Sequence, residues 1–410
     1  MKITKIRIKK ISKSELSAFR LSRKTKQTNQ RSIINILRQI VNIIDGDYDL
    51  AKKLFRELYI NFQVSEKVFS KLKQSIIPLN KRGNSGSVIG LLQRDVSKVV
   101  KIYSSKMKID SSIQIKNCLK IDNKFNEIFI SLVITNLDNI LNLSKSEYKQ
   151  IINHTLPIYK YGISTQGTFI IMPLIGIKYN NQLITNMREL LDMNHNSLLK
   201  KVIHNDDKDI FTAYDIFISK KINEYLETIR ILQKHLQFIN SDVKLNNIFI
   251  KETQTNNNNS KEYDKLNQYG FITNFELILS DLEKSSININ NIKITTKPRL
   301  PLKVMLFSLI NMGFVYDVRY SCDMTMKKCS SINIMDFDII CMIIDLLVQL
   351  IRIDKNILNK LPELCKLLLN FIGANVFFKL KKIIEKGNYK IDKNYSYLIG
   401  KIIIKICKKF

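Results

Sequence analysis

Apolar residues recur at helical spacing from Ser32 to Ile44, with Ile33, Ile36, Leu37, Ile40, Val41 and Ile44 on one stripe. Gly46 ends that pattern, and Leu50, Leu54, Leu58 and Phe62 carry a second one, so the spacing predicts a helical hairpin. Between residues 66 and 175 the pattern changes to short β-type runs: Ser87 to Leu92, Lys98 to Tyr103 and Thr168 to Pro173. One helix, around Lys120 to Leu137, interrupts them. From Ile184 onward the chain reads as mostly helical, with a long helix from about Phe211 to Phe238. Short β-type pieces fall near Ile248 to Lys251 and Leu277 to Ser280. Thr253 to Gly270, with Asn256 to Asn259 in a row, reads as a polar insertion and a mobile loop. The pattern predicts an α+β chain with a basic, helical N-terminal extension over 1–65, a β-rich part over 66–175 and a helical part over 176–410, the insertion occupying 253–270.

Composition narrows the class. An apolar fraction of 45% in 410 residues excludes wholesale disorder. No uncharged apolar run reaches the ~18 residues that span a bilayer; Ile339 to Leu350 comes nearest and carries Asp345 and Gln349. No transmembrane segment is expected, and the first residues lack the apolar stretch of a signal peptide. The six cysteines are scattered, without C-x-x-C or metal-ligand spacing, which predicts a reducing, cytoplasmic setting and argues against zinc. The four histidines form no spaced pair, and His235, at the end of the long helix, reads as packing or capping. The net charge of +30 stands out, but Ile, Asn and Lys share A/T-rich codons, so codon bias supplies much of it. Residues 1–31 hold eleven Lys or Arg against Glu15 alone, a basic segment suited to nucleic acid, acidic membrane or an acidic partner.

The chain has only 12 glycines, yet Gly83, Gly86 and Gly90 fall within eight residues, in and after K-R-G-N-S-G-S-V. Such a segment feeding a strand lets backbone approach a phosphate with no Cβ in the way. Lys101 lies within the apolar run K-V-V-K-I-Y, where an ammonium needs a partner, and Glu127 is the first Glu after it. Residues 240 to 250, N-S-D-V-K-L-N-N-I-F-I, place Asp242, Lys244 and Asn247 just before an apolar strand. L-I-L-S-D-L-E then ends a second apolar strand at Asp281. Each piece alone has a plain reading: a turn, a strand-end lysine, a charged loop in a chain rich in Lys and Asn. Their order, on the element types each requires, is the informative feature.

That order, from about residue 75 to 350, resembles the protein kinase superfamily. The resemblance implies a bilobal fold with a small β-rich N-lobe and a larger helical C-lobe. It implies a glycine-rich loop with Gly83, Gly86 and Val88 over the nucleotide, and Lys101, tethered by Glu127, on the α- and β-phosphates. Asp242 would take the proton of the substrate hydroxyl, Lys244 would neutralise the γ-phosphate, and Asn247 and Asp281 would hold Mg2+. The implied cofactors are ATP and Mg2+, and the implied substrates are protein Ser/Thr hydroxyls, since Lys244 occupies the position typical of Ser/Thr kinases. F-I-I-M-P-L at 169 to 174, the insertion after the catalytic loop, D-L-E in place of D-F-G, and M-D-F-D at 335 to 338 are similar to the poxvirus virion Ser/Thr kinases and related kinases of large DNA viruses. By that likeness Asp336 stands before the corresponding helix, and host cytoplasm or virion is the expected location.

Departures from the family pattern define the alternatives. Lys81 replaces the first loop glycine, Asn240 and Ser241 replace the His-Arg pair, and Glu283 replaces the glycine after Asp281, restricting the flip of that segment. No A-P-E motif is evident, and Thr296 to Asp323 is basic. Without the arginine, activity independent of an activation-loop phosphate is expected. Against the active enzyme stand a catalytically dead kinase fold serving as scaffold and a basic protein that binds nucleic acid or membrane.

Overall fold

The computed structural model describes residues 23–42, 47–82, 87–103, 118–141, 143–240, 243–253, 261–289, 292–295 and 337–386. Three helices come first: α1 (Arg23–Val41), α2 (Tyr48–Phe62) and α3 (Glu66–Gln74). Asp47 and Ser65 cap α2 and α3, accepting from the backbone N–H groups of Leu50 and Val68. Strands β1 (Ile76–Arg82), β2 (Ser87–Leu92), β3 (Asp95–Tyr103) and the short β4 (Cys118–Lys120) lead to helix α4 (Asn123–Thr135), capped by Asp122. Helices α5 (Leu137–Ile140) and α6 (Lys145–Asn153) and strands β5 (Lys160–Ser164) and β6 (Gly167–Pro173) complete this part. Strands β1 to β3, β6 and β5 form a five-stranded antiparallel sheet in the order 1-2-3-6-5. Sequence periodicity carries no signal for α3, α6, β1 and β5: these are short, and α3 and α6 are set by caps and a few buried contacts rather than by a long stripe.

The remainder is chiefly helical. Hairpin β7 (Ile177–Tyr179) and β8 (Gln182–Ile184) precedes α7 (Met187–Leu190), a π-helical turn at Leu191–His195, α8 (Asn196–His204) and the 29-residue α9 (Lys208–Leu236). Strands β9 (Ile248–Glu252) and β10 (Phe275–Leu279) pair antiparallel, with α10 (Lys261–Tyr269) between them. Then follow β11 (Ile287–Ile289), β12 (Ile292–Thr295), α11 (Phe337–Ile353), α12 (Pro362–Ile372) and α13 (Ala374–Lys386). The chain is thus a mixed α+β protein with a small antiparallel sheet and a helical C-terminal region. The insertion expected to be loop throughout contains α10: Tyr263 and Leu266, three residues apart, turn into the core, and Tyr263 meets Phe217 of α9 edge-on at 5.3 Å. The Asn run lies outside the described residues. Among the described residues no helix is long and apolar enough to cross a membrane.

Period-two alternation along β3 settles which side chains face the site. Val100 and Ile102 pack with Phe69 and Leu72 of α3 on one side of the sheet. Lys101 and Tyr103 therefore point to the other side, toward α4. There Phe55 and Phe62 of α2 pack on Phe125 and Phe129 of α4, with centroids 4.8 Å apart for Phe55 and Phe129 and 5.5 Å for Phe62 and Phe125. The sequence-expected hairpin thus lies against the helix that carries Glu127.

Candidate active site

Lys101 of β3 donates to both carboxylate oxygens of Glu127 at 3.0 Å. It also donates to Asp281 Oδ1 at 3.3 Å, and Glu283 Oε2 lies 3.9 Å away. Burial disfavours the ammonium, but the carboxylates of Glu127, Asp281 and Glu283 outweigh it and hold Lys101 above the ordinary lysine value. Glu127 is raised, chiefly by burial, with Lys101 pulling the other way. The side chain of Lys101 is 12% exposed and that of Glu127 7%, so the pair is largely shielded from solvent.

The β9–β10 register brings in the next two groups. Ile248 pairs with Leu279, so Asn247, one residue before, and Asp281, two residues after, leave the same end of the ladder. Asn247 Nδ2 donates to Asp281 Oδ2 at 3.4 Å, and Ser280 Oγ donates to the Asn247 carbonyl at 2.6 Å. Asp281 has φ 55° and ψ 58°, the left-handed region, which Asp tolerates better than most residues. Lys244 is half-buried at the start of the turn Leu245–Asn247, and its carbonyl accepts from Asn247 N at 2.8 Å.

Asp242, Gly83 and Gly86 lie outside the described residues. Val88 sits in β2, in register with Ile102. Gly90, the third glycine of the cluster, serves packing: a Cβ there would come within 2.7 Å of the Ile77 carbonyl oxygen on β1.

Both flanks of Asp242 are anchored. Ile239 and Ser286 exchange backbone hydrogen bonds at 2.9 and 2.7 Å. Asn240 donates its backbone N–H to Asp338 Oδ2 at 2.6 Å and its amide to the Ser280 carbonyl at 3.3 Å. Leu245 N donates to Asp345 Oδ2 at 2.8 Å. Asp338 and Asp345 are two turns apart on the buried, apolar α11, so one face of that helix grips the loop on both sides. Asp336, which the resemblance singles out, lies outside the described residues. Arg188 holds Asp345 from the far side at 3.7 Å, and Gln349, with its amide oxygen toward Arg188, accepts from it at 2.6 and 3.0 Å.

Three residues of the site have no chemical assignment from the sequence. Tyr103 OH donates to Glu127 and lies 3.0 Å from Glu283 Oε2. Asn126, beside Glu127, donates to the carbonyls of Leu282, Glu283 and Ser285 at 3.3, 3.3 and 2.8 Å. Glu283 is 1% exposed, so its side chain turns inward. Tyr103 is two residues from Lys101 and so shares its face, which is a usable signal; Asn126 and Glu283 meet across 157 residues, and nothing local marks them.

A second polar cluster lies apart from this site. His154, Glu224 and Glu276 could together ligate a cation. Lys221 pairs with both carboxylates: its buried ammonium lies 3.1 Å from Glu276 and 3.6 Å from Glu224. His154 Nδ1 donates to the Leu277 carbonyl at 2.8 Å, fixing the ring beside β10. Lys221 makes this a buried ion-pair cluster.

Oxygen donors suit Mg2+, and Asp281 and Asn247 supply them. Three carboxylates lie within 3.9 Å of one ammonium in a shielded site. Compared with known proteins, the chain matches no family model and no curated protein.

Proposed function

We propose that the chain is an ATP- and Mg2+-dependent protein serine/threonine kinase with a kinase-like bilobal arrangement. The observation that carries this reading is the convergence of Lys101, Glu127, Asn247 and Asp281, drawn from four separate stretches of chain, with Lys101 3.0 Å from Glu127 and 3.3 Å from Asp281. Phosphoryl transfer needs positioned charge more than covalent help, and this set supplies it.

In this reading Glu127 and Asp281 fix the ammonium of Lys101 where it meets the phosphates. Asn247 and Asp281 would hold Mg2+, which supplies charge neutralisation on the phosphate oxygens. Asp242 receives the proton of the substrate hydroxyl, and Lys244 offsets charge on the transferred group. Ser241 rather than an arginine precedes Asp242, and the backbone N–H groups of Asn240 and Leu245 anchor the loop to Asp338 and Asp345, which supports activity without an activation-loop phosphate. The narrower likeness to virion kinases gives the expected setting, a virus particle or host cytoplasm.

Labelled ATP, Mg2+ and acidic or basic carrier proteins test the proposal. Wild type should transfer label, and Asp242→Asn should lose it; equal labelling by both defeats the reading. Mg2+-ATP at a hundred times its Kd should also add about 2.7 kcal/mol of stability. That stabilisation without transfer would instead mark a nucleotide-binding scaffold.

A further inference from the structure

We propose that Tyr103 and Glu283 form a positioning pair that ties the segment carrying Asp281 to β3 and α4, and so sets this metal-binding carboxylate beside Lys101. The proposal rests on the kinase reading above and adds two residues to it.

Tyr103 ends β3, is 2% exposed and lies on the same face as Lys101. Its hydroxyl sits between the carboxylates of Glu127 and Glu283. Carrying one proton, it donates to one of them at a time. Through it, β3, α4 and the segment after Asp281 are joined at a single atom. The turn Leu282–Lys284 is held from the other side by Asn126, which spans the carbonyls of Leu282, Glu283 and Ser285. Between these anchors Asp281 keeps its left-handed backbone, a conformation that costs a non-glycine residue on the order of 1 kcal/mol and persists where the surroundings fix it.

Packing alone does not account for Glu283. A third buried carboxylate near one ammonium carries a desolvation penalty that an apolar side chain of similar size would avoid. What the carboxylate adds is a second acceptor for the Tyr103 hydroxyl, 3.0 Å away. A glycine here would leave the turn without that acceptor and free to rotate.

The test compares Tyr103→Phe, Glu283→Ala and Glu283→Gln with wild type in the full chain. Glu283→Gln removes a charge beside Lys101 but keeps an acceptor for the Tyr103 hydroxyl, so it should leave the turn in place. Tyr103→Phe and Glu283→Ala should raise the Mg2+ concentration for half-maximal transfer about tenfold, the order seen when a contact supporting a metal ligand is lost. The KM for protein substrate should stay unchanged. Without nucleotide, amide hydrogen exchange over Leu282 to Ser285 should quicken in those two variants and not in Glu283→Gln. The double variant should be no worse than either single one. Unchanged exchange and Mg2+ dependence in Tyr103→Phe, or exchange over Leu282 to Ser285 as fast in Glu283→Gln as in Glu283→Ala, would overturn the pair. Absence of transfer and of nucleotide stabilisation in wild type defeats the kinase reading instead; the exchange comparison then decides alone whether the pair holds the turn.

Discussion

At the scale of single residues, two buried groups give opposite lessons about charge. Lys101 is charged because three carboxylates surround it, and those carboxylates depend on it in turn. Lys101→Met leaves Glu127 buried without its ammonium and should destabilise the fold by about 3–5 kcal/mol. Adding Glu127→Gln should recover part of that loss, read as a denaturant midpoint; a double variant as unstable as the sum of the singles would refute the coupling. His195 is neutral instead. It is fully buried, accepts from Tyr214 OH at 3.3 Å and donates to the Ile272 carbonyl at 3.0 Å. Burial pushes its pKa down to about 4. The unfolded chain takes up that proton below about 6.5, the folded one only below about 4, so this contribution is complete above pH 6.5 and falls away as pH drops toward 4. Wild type should lose about 2 kcal/mol more than His195→Gln between pH 7.5 and 5. An identical loss in both would remove His195 as the cause.

At the scale of elements, the α1–α2 hairpin acts on the site through α4. Phe55 and Phe62 pack on Phe125 and Phe129, and Arg38 Nε donates to the Asn139 carbonyl at the far end of that helical run at 2.7 Å. Phe55→Ala should cost about 3–5 kcal/mol as a large-to-small core change. In the proposed kinase it should also weaken nucleotide binding, because Glu127 rides on α4; nucleotide affinity unchanged beside clear destabilisation would uncouple the hairpin from the site. The hairpin itself is legible in the sequence, because its two stripes repeat at 3.6-residue spacing over several turns. So is the Lys101–Glu127 pair: an ammonium inside an apolar strand demands a partner, and one Glu is in place. The grip of α11 on the loop is half legible. Asp345 stands out as an interruption of an apolar run, but its bond to Leu245 N spans 100 residues. Glu283 reads as a departure from a pattern; its inward turn depends on Tyr103, 180 residues away, and no local rule reports it.

At the scale of the whole molecule, the boundary drawn after residue 65 does not separate two cores. One continuous apolar cluster runs from Ile33 and Leu37 through Phe129 and Leu226 to Leu380 and Ile384. Helices give way to strands only at Ile76, after α3, and burial continues across the boundary. Val64 N donates to the Ile163 carbonyl at 2.8 Å, so the hairpin is also joined to β5 at the sheet edge. Deleting residues 1–62 would uncover Phe125, Phe129 and their neighbours, each worth about 1.5–3 kcal/mol when fully buried. A few such side chains are comparable with the whole stability of a typical domain, about 5–15 kcal/mol. The shortened chain should therefore lose its cooperative thermal transition or show a much lower Tm, where a detachable extension would leave the transition in place. Adding back residues 1–62 as a separate polypeptide should restore part of the transition if the loss comes from this interface. A truncated chain that melts cooperatively near the wild-type temperature would show that the hairpin decorates the core rather than completing it.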